Sequence, residues 1–72
     1  MKKVFKLDDL DCANCARKME DGIRALEGVQ SVSINFLAQK LTLEAPDAEF
    51  DEILKKAAKV IKKIEPDCTI VI

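Results

Sequence analysis

The chain has 72 residues, 35% of them charged with a net charge of only -1, which bounds it to one domain with a mixed-charge surface and a single core layer. The absence of a basic excess, with three Phe and neither Tyr nor Trp, speaks against a nucleic-acid binder, and no apolar run approaches the roughly 18 residues of a membrane span. Three cysteines do not make a secreted disulfide framework, and Lys6, Asp8 and Asp9 interrupt any signal-peptide core after Met1-Lys2-Lys3, so the expected location is cytosolic, for the chain alone or as a piece of something larger.

Val4 to Leu7 predicts a first strand with Phe5 and Leu7 on one face. After Asp11-Cys12-Ala13-Asn14-Cys15, apolar residues recur at helical spacing (Ala16, Met19, Ile23, Leu26), and Gly28 stands where a left-handed C-cap is expected. Val32, Ile34 and Phe36 alternate with Ser31, Ser33 and Asn35 as a half-buried strand. A turn at Leu37 to Gln39 leads into Leu41 and Leu43, which completes a hairpin. Pro46 and Asp47 are expected to start a second helix whose apolar stripe is Phe50, Ile53, Leu54, Ala57, Ile61 and Ile64. Acids crowd its start and lysines its end, in the sense the helix dipole favours. Pro66 stops it, and Cys68 to Ile72 supplies a last short strand, with Cys68, Ile70 and Ile72 of one parity.

The order strand, helix, strand, strand, helix, strand predicts a ferredoxin-like βαββαβ fold, an α+β sandwich in which both helices cover one face of a four-stranded antiparallel sheet, over residues 1–72 as a single domain. In that topology the loop Asp11–Cys15, the turn Leu37–Gln39 and the loop Glu65–Cys68 share one end of the molecule.

The loop between the first strand and the first helix carries the chemistry. Cys12 and Cys15 fall at or just before the first helical turn, where unpaired backbone N–H groups and the positive dipole end favour thiolates. Their spacing lets both sulfurs converge on one soft metal ion, yet two ligands do not close a structural zinc site, which takes four. An incomplete shell suits an ion that is picked up and handed on. Asp11 bears on which ion: with two thiolates and a divalent metal its carboxylate leaves one negative charge, and with Cu(I) two, while Cu(I) gains little from a hard oxygen. The residues therefore favour zinc, cadmium or lead over Cu(I). Asp11 has a plain alternative as the helix N-cap, a role worth about 1 kcal/mol. Glu65 and Asp67 are either accessory ligands or ordinary loop acids. Cys68 is either a buried core residue, by its parity with Ile70, or an accessory thiol. Arg17 and Lys18 form a solvated face beside the thiols, and Met19 is at core spacing.

The segment Leu10-Asp11-Cys12-Ala13-Asn14-Cys15-Ala16-Arg17-Lys18 resembles the metal loop of heavy-metal-associated domains, above all those at the cytosolic N-terminus of zinc/cadmium/lead-transporting P-type ATPases. The likeness spans the whole chain, including Glu27-Gly28-Val29 and the strand Val32 to Phe36. Copper-handling relatives usually carry Met-Thr where this chain has Leu10-Asp11, and often an aromatic or Lys where it has Glu65-Pro66-Asp67. The resemblance implies that Cys12 and Cys15 are ligands, with Asp11 as a third, in a non-catalytic module that delivers metal to its own ATPase or regulates it. The chain is expected to be a monomer, with a dimer that shares metal through thiolates as the alternative. A free-standing metallochaperone for a divalent ion or Cu(I) is the alternative reading. The rival from another class is a thiol-disulfide oxidoreductase, since Cys-x-x-Cys at a helix start also serves that chemistry; the short chain and the missing Trp beside the motif count against it.

Overall fold

The computed structural model describes residues 1–71. Its elements, in chain order, are β1 (Lys2–Asp8), α1 (Ala13–Arg24), β2 (Ser31–Asn35), β3 (Lys40–Glu44), α2 (Phe50–Ile64) and β4 (Thr69–Val71). The four strands form one sheet in the order β2-β3-β1-β4, and every neighbouring pair is antiparallel. This is the βαββαβ sandwich the alternation and helical periods predict.

Period-two patterning in the strands produces one-sided burial. Leu7, Val32, Leu41 and Leu43 turn inward, while Lys6, Ser33 and Val4 remain exposed on the opposite face. The helices cover the inner face with Ala16, Met19 and Ile23 from α1 and with Phe50, Ile53, Leu54, Ala57 and Ile61 from α2. Removing these side chains from water supplies the main favourable term, roughly 1.5–3 kcal/mol for each large one. Phe5 stacks on Phe50 with ring centroids 6.3 Å apart, tying β1 to the first turn of α2. The helices approach closely at Gly22, where a β-carbon would meet Val60 Cγ1 at 2.8 Å. At the sheet edge, Glu20 reaches from α1 to accept the backbone N–H of Ile34 at 3.0 Å, which occupies a donor on edge strand β2.

The sequence pattern misplaces three boundaries. Helix α1 begins at Ala13 and ends at Arg24, two residues short of Leu26. Leu26 N–H then bonds to Ile23 and Val29 N–H to Leu26, so Gly28, with φ +94°, is the third residue of a tight turn and not the helix C-cap, which is Ala25. Helix α2 begins at Phe50 and not at Asp47, because Glu49 N–H bonds back to Pro46 and Phe50 N–H to Asp47 in a turn that precedes the helix. The last strand starts at Thr69, one residue after Cys68, and the parity assigned to Ile72 lies outside the described residues. No helix among the described residues is long and apolar enough to cross a membrane.

Candidate metal centre

Because β1 and β2 run one way and β3 and β4 the other, the loop after β1, the β2–β3 turn and the loop after α2 meet at one end of the sheet. Asp9, with φ +60°, turns the chain out of β1, and Leu10 then drops into the core at 3% exposure. The residues that follow are Asp11, exposed, and Cys12, half-buried.

Cys12 is the N-cap of α1. Its backbone is extended (φ -132°, ψ 122°), its carbonyl accepts the first helical bond from Ala16 at 3.0 Å, and its Sγ accepts the N–H of Cys15 at 3.4 Å. A thiol thus occupies the place usually held by Ser, Thr, Asp or Asn. This corrects the capping alternative for Asp11: the cap must be the residue whose carbonyl opens the helix, and Asp11 lies one position before it. No acid stands in the first turn of α1, so the positive end of the helix faces the sulfurs unopposed.

The two thiols are shifted in opposite senses. The Cys15 backbone N–H, then the Cys15 thiol, hold the Cys12 pKa below its ordinary value, against burial and the Glu65 charge. The neighbouring Cys12 sulfur, then the Glu65 carboxylate, both of which favour the protonated thiol, together with burial push the Cys15 pKa up to about 11. Of the two thiols, Cys12 is the one shifted towards the thiolate and Cys15 the one shifted towards the protonated form.

Glu65, the C-cap of α2, is half-buried beside Cys15, and its carbonyl accepts the N–H of Cys68 at 3.0 Å. Cys68 is fully buried, and desolvation, then the charges of Glu65 and Asp9, raise its pKa. It belongs to the core under the loop. Asp67 is exposed, and neither it nor Asp11 makes a hydrogen bond or ion pair among the described residues. The structure thus brings Cys12 and Cys15 together, with Glu65 on the neighbouring loop close enough for its charge to act on both thiols. Among the described residues no three Cys, Asp or Glu side chains are gathered into a cluster that could hold a metal, so the preformed part is the thiol pair.

One contributor escapes motif reading. Gln39, in the β2–β3 turn with φ +55°, accepts the Leu10 N–H on Oε1 at 3.0 Å and donates from Nε2 to the Leu10 carbonyl at 2.6 Å. Its Nε2 also bonds the Phe36 carbonyl at 3.0 Å. The signal in the sequence was indirect: a long amide side chain at a turn position where Gly or Asn is favoured.

The family model of the heavy-metal-associated domain matches residues 4–68. The chain belongs to that family. A heavy-metal-associated domain is a metal-binding module that carries no catalysis of its own, and its relatives here are parts of ATPases. The chain is 39% identical over 70 residues to the cadmium, zinc and cobalt-transporting ATPase of Bacillus subtilis, covering 97% of this chain and 10% of that protein. It is 39% identical over 56 residues to the zinc/cadmium/lead-transporting P-type ATPase of Escherichia coli, covering 74% of this chain and 8% of that one. The heavy-metal-associated domain thus spans about a tenth of the length of these curated relatives. Its fold is also that of the N-terminal domain of the copper(I) ATPase PacS in its apo form, with a TM-score of 0.77 at 21% identity over 100% of this chain and 92% of that one.

Proposed function

We propose that this domain binds one soft divalent ion (zinc, cadmium or lead) through Cys12 and Cys15 and passes it on, as a cytosolic N-terminal domain of a metal-exporting P-type ATPase. The observation that carries the reading is the thiol pair at the start of α1, with Cys12 capping the helix through its sulfur and accepting the Cys15 N–H, and the half-buried Glu65 on the neighbouring loop. Two thiolates suit a soft ion, and a carboxylate at the open side offers the hard donor that zinc accepts and Cu(I) does not need. Asp11, exposed and adjoining Cys12, is the second oxygen donor within reach of the loop. The identities to ATPases named for cadmium, zinc and lead support the same class of ion. Transfer proceeds by ligand exchange: a partner's thiolate or carboxylate enters the unfilled position as Cys12 or Cys15 leaves.

A second reading, a Cu(I)-handling domain or free metallochaperone, draws on the shared fold with the copper(I) ATPase domain. Cadmium-113 NMR on the reduced protein distinguishes sulfur from oxygen ligation. One Cd(II) per chain at a shift of two sulfurs with oxygen donors, lost in Cys12→Ser and in Cys15→Ser, is the expected result. A site that keeps its shift and affinity when both cysteines are replaced would overturn the reading.

A further inference from the structure

The residue before Asp11 is held from across the sheet. Leu10 offers one backbone donor and one acceptor, and both are taken by a single side chain, Gln39. The remaining Nε2 hydrogen goes to the Phe36 carbonyl, so every donor of the amide is satisfied, and exchanging its O and N would set oxygen against two carbonyls. The Gln39 backbone adds a further tie, since its carbonyl accepts the Leu7 N–H at 2.7 Å. Gln39 does this in a left-handed conformation (φ +55°) that an L-residue with a side chain adopts at a cost and glycine does not. The three side-chain hydrogen bonds offset that backbone cost.

We propose that Gln39 is a positioning residue of the metal loop, its side-chain amide clamping the Leu10 backbone so that Asp11–Cys15 is held in its binding geometry by the β2–β3 turn. The inference rests on Cys12 and Cys15 being the thiols that hold the ion. Leu10 is anchored twice, by its buried side chain and by this amide, and Cys12 follows two residues later. Without the amide, the Leu10 peptide groups turn to water and the loop samples arrangements in which the two sulfurs no longer meet. Metal must then order the loop as it binds, which weakens binding without removing a ligand.

Gln39→Gly tests this, because it deletes the amide while leaving a residue suited to the left-handed turn. The expected result is a folded protein with Cd(II) affinity about tenfold weaker, at the lower end of what outer-sphere changes cost. Hydrogen exchange should rise at the Leu10 and Cys15 amides while the β3 amides stay protected. Gln39→Glu is the second variant: its carboxylate still accepts from Leu10 but cannot donate to the Leu10 or Phe36 carbonyls, and it should weaken Cd(II) similarly despite the added negative charge. Melting temperature is read in parallel, since a merely structural role would lower it with Cd(II) affinity and loop exchange unchanged. Cys12→Ser/Cys15→Ser is the control for the site itself. If that double variant loses Cd(II) while both Gln39 variants keep native affinity, the positioning role is overturned and the site stands. If the double variant binds as the native chain does, both fall.

Discussion

The molecule contains two strand-to-helix junctions, and they are built for opposite ends. The first, Asp9 to Cys12, leads from β1 into α1; the second, Ala45 to Glu49, leads from β3 into α2, and since β1 and β3 are antiparallel the two helix starts lie at opposite ends of the sheet. The second is sealed by its own residues. Ala45 is buried, Phe50 is 2% exposed, and Asp51 and Glu52 stand in the first turn to meet the positive end of α2. The first has no acid in its first turn, caps itself with a cysteine sulfur, and leaves both thiols half-buried. The same topological event thus ends in first-turn carboxylates, with no side-chain cap, at one end and in a sulfur-capped, open seat for thiolates at the other. What separates them is which residues meet the helix dipole.

Damage to the sealed end should leave the open end working. Gly28, at φ +94°, lies against α2's first turn, where an added β-carbon would meet Ile53 Cδ1 at 2.8 Å and Glu49 Oε2 at 3.1 Å. Gly28→Ala is expected to destabilise the apo protein by about 2 kcal/mol from the left-handed backbone and the clash. Each kcal/mol corresponds to roughly 4–8 °C in melting temperature for a domain of this size. Thermal denaturation measures this, and Cd(II) affinity below the transition should be unchanged. A large affinity loss would mean the two ends are coupled.

Proton linkage should report on the open end alone. Below about 11, Cys15 in the metal-free protein carries a proton that an incoming ion must displace, so Cd(II) affinity should rise with pH by about tenfold per unit for that one proton. In the metal-free chain, the folded state keeps the Cys15 proton that the unfolded state releases near 9.0, so this contribution to stability is present below that value and is lost as pH rises towards about 11. Cys12 has the opposite sign: its lowered pKa favours folding at high pH, and that contribution is lost as pH falls through the folded value. Calorimetric titrations in buffers of differing ionisation enthalpy count the released protons, and a pH-independent affinity would contradict the protonated Cys15.

The smallest expected effect separates the two acids of the last loop. Glu65→Gln removes the carboxylate that acts on Cys15 and should weaken Cd(II) severalfold, while Asp67→Asn, at an exposed position without a hydrogen bond among the described residues, should change nothing measurable. Competition against a chelator decides between them. Equal effects from both would mean that net charge, and not the placement of Glu65, governs the site.

Much of this architecture is legible in the sequence because local periods and burial agree. The alternation Val32-Ser33-Ile34 and the stripe Phe50-Ile53-Leu54-Ala57-Ile61 have one way to face a core. The strand directions then place the Leu37–Gln39 turn and Glu65 at the end that carries the thiols. The helix ends were less legible, because the start of α1 is decided by which residue's carbonyl accepts Ala16 N–H, and Ala13 and Asn14 carry no periodic signal. Gly28 has the left-handed backbone expected of it, but in a turn three residues past the cap, because the helix closes early through Leu26. The Gln39 clamp was invisible because its partner, Leu10, is 29 residues away and offers only backbone atoms.

The most direct test of the central claim, that carboxylates beside two thiolates select a divalent ion, is an anaerobic competition titration of the reduced protein with Zn(II), Cd(II) and Cu(I), run in parallel on the Asp11→Thr/Glu65→Gln double variant. The expected result is one-to-one binding of the divalent ions, with the native protein's preference for Zn(II) and Cd(II) over Cu(I) reduced in the variant. The same preference in both proteins, or tighter Cu(I) binding by the native chain, would contradict it and return a copper-handling role to the front.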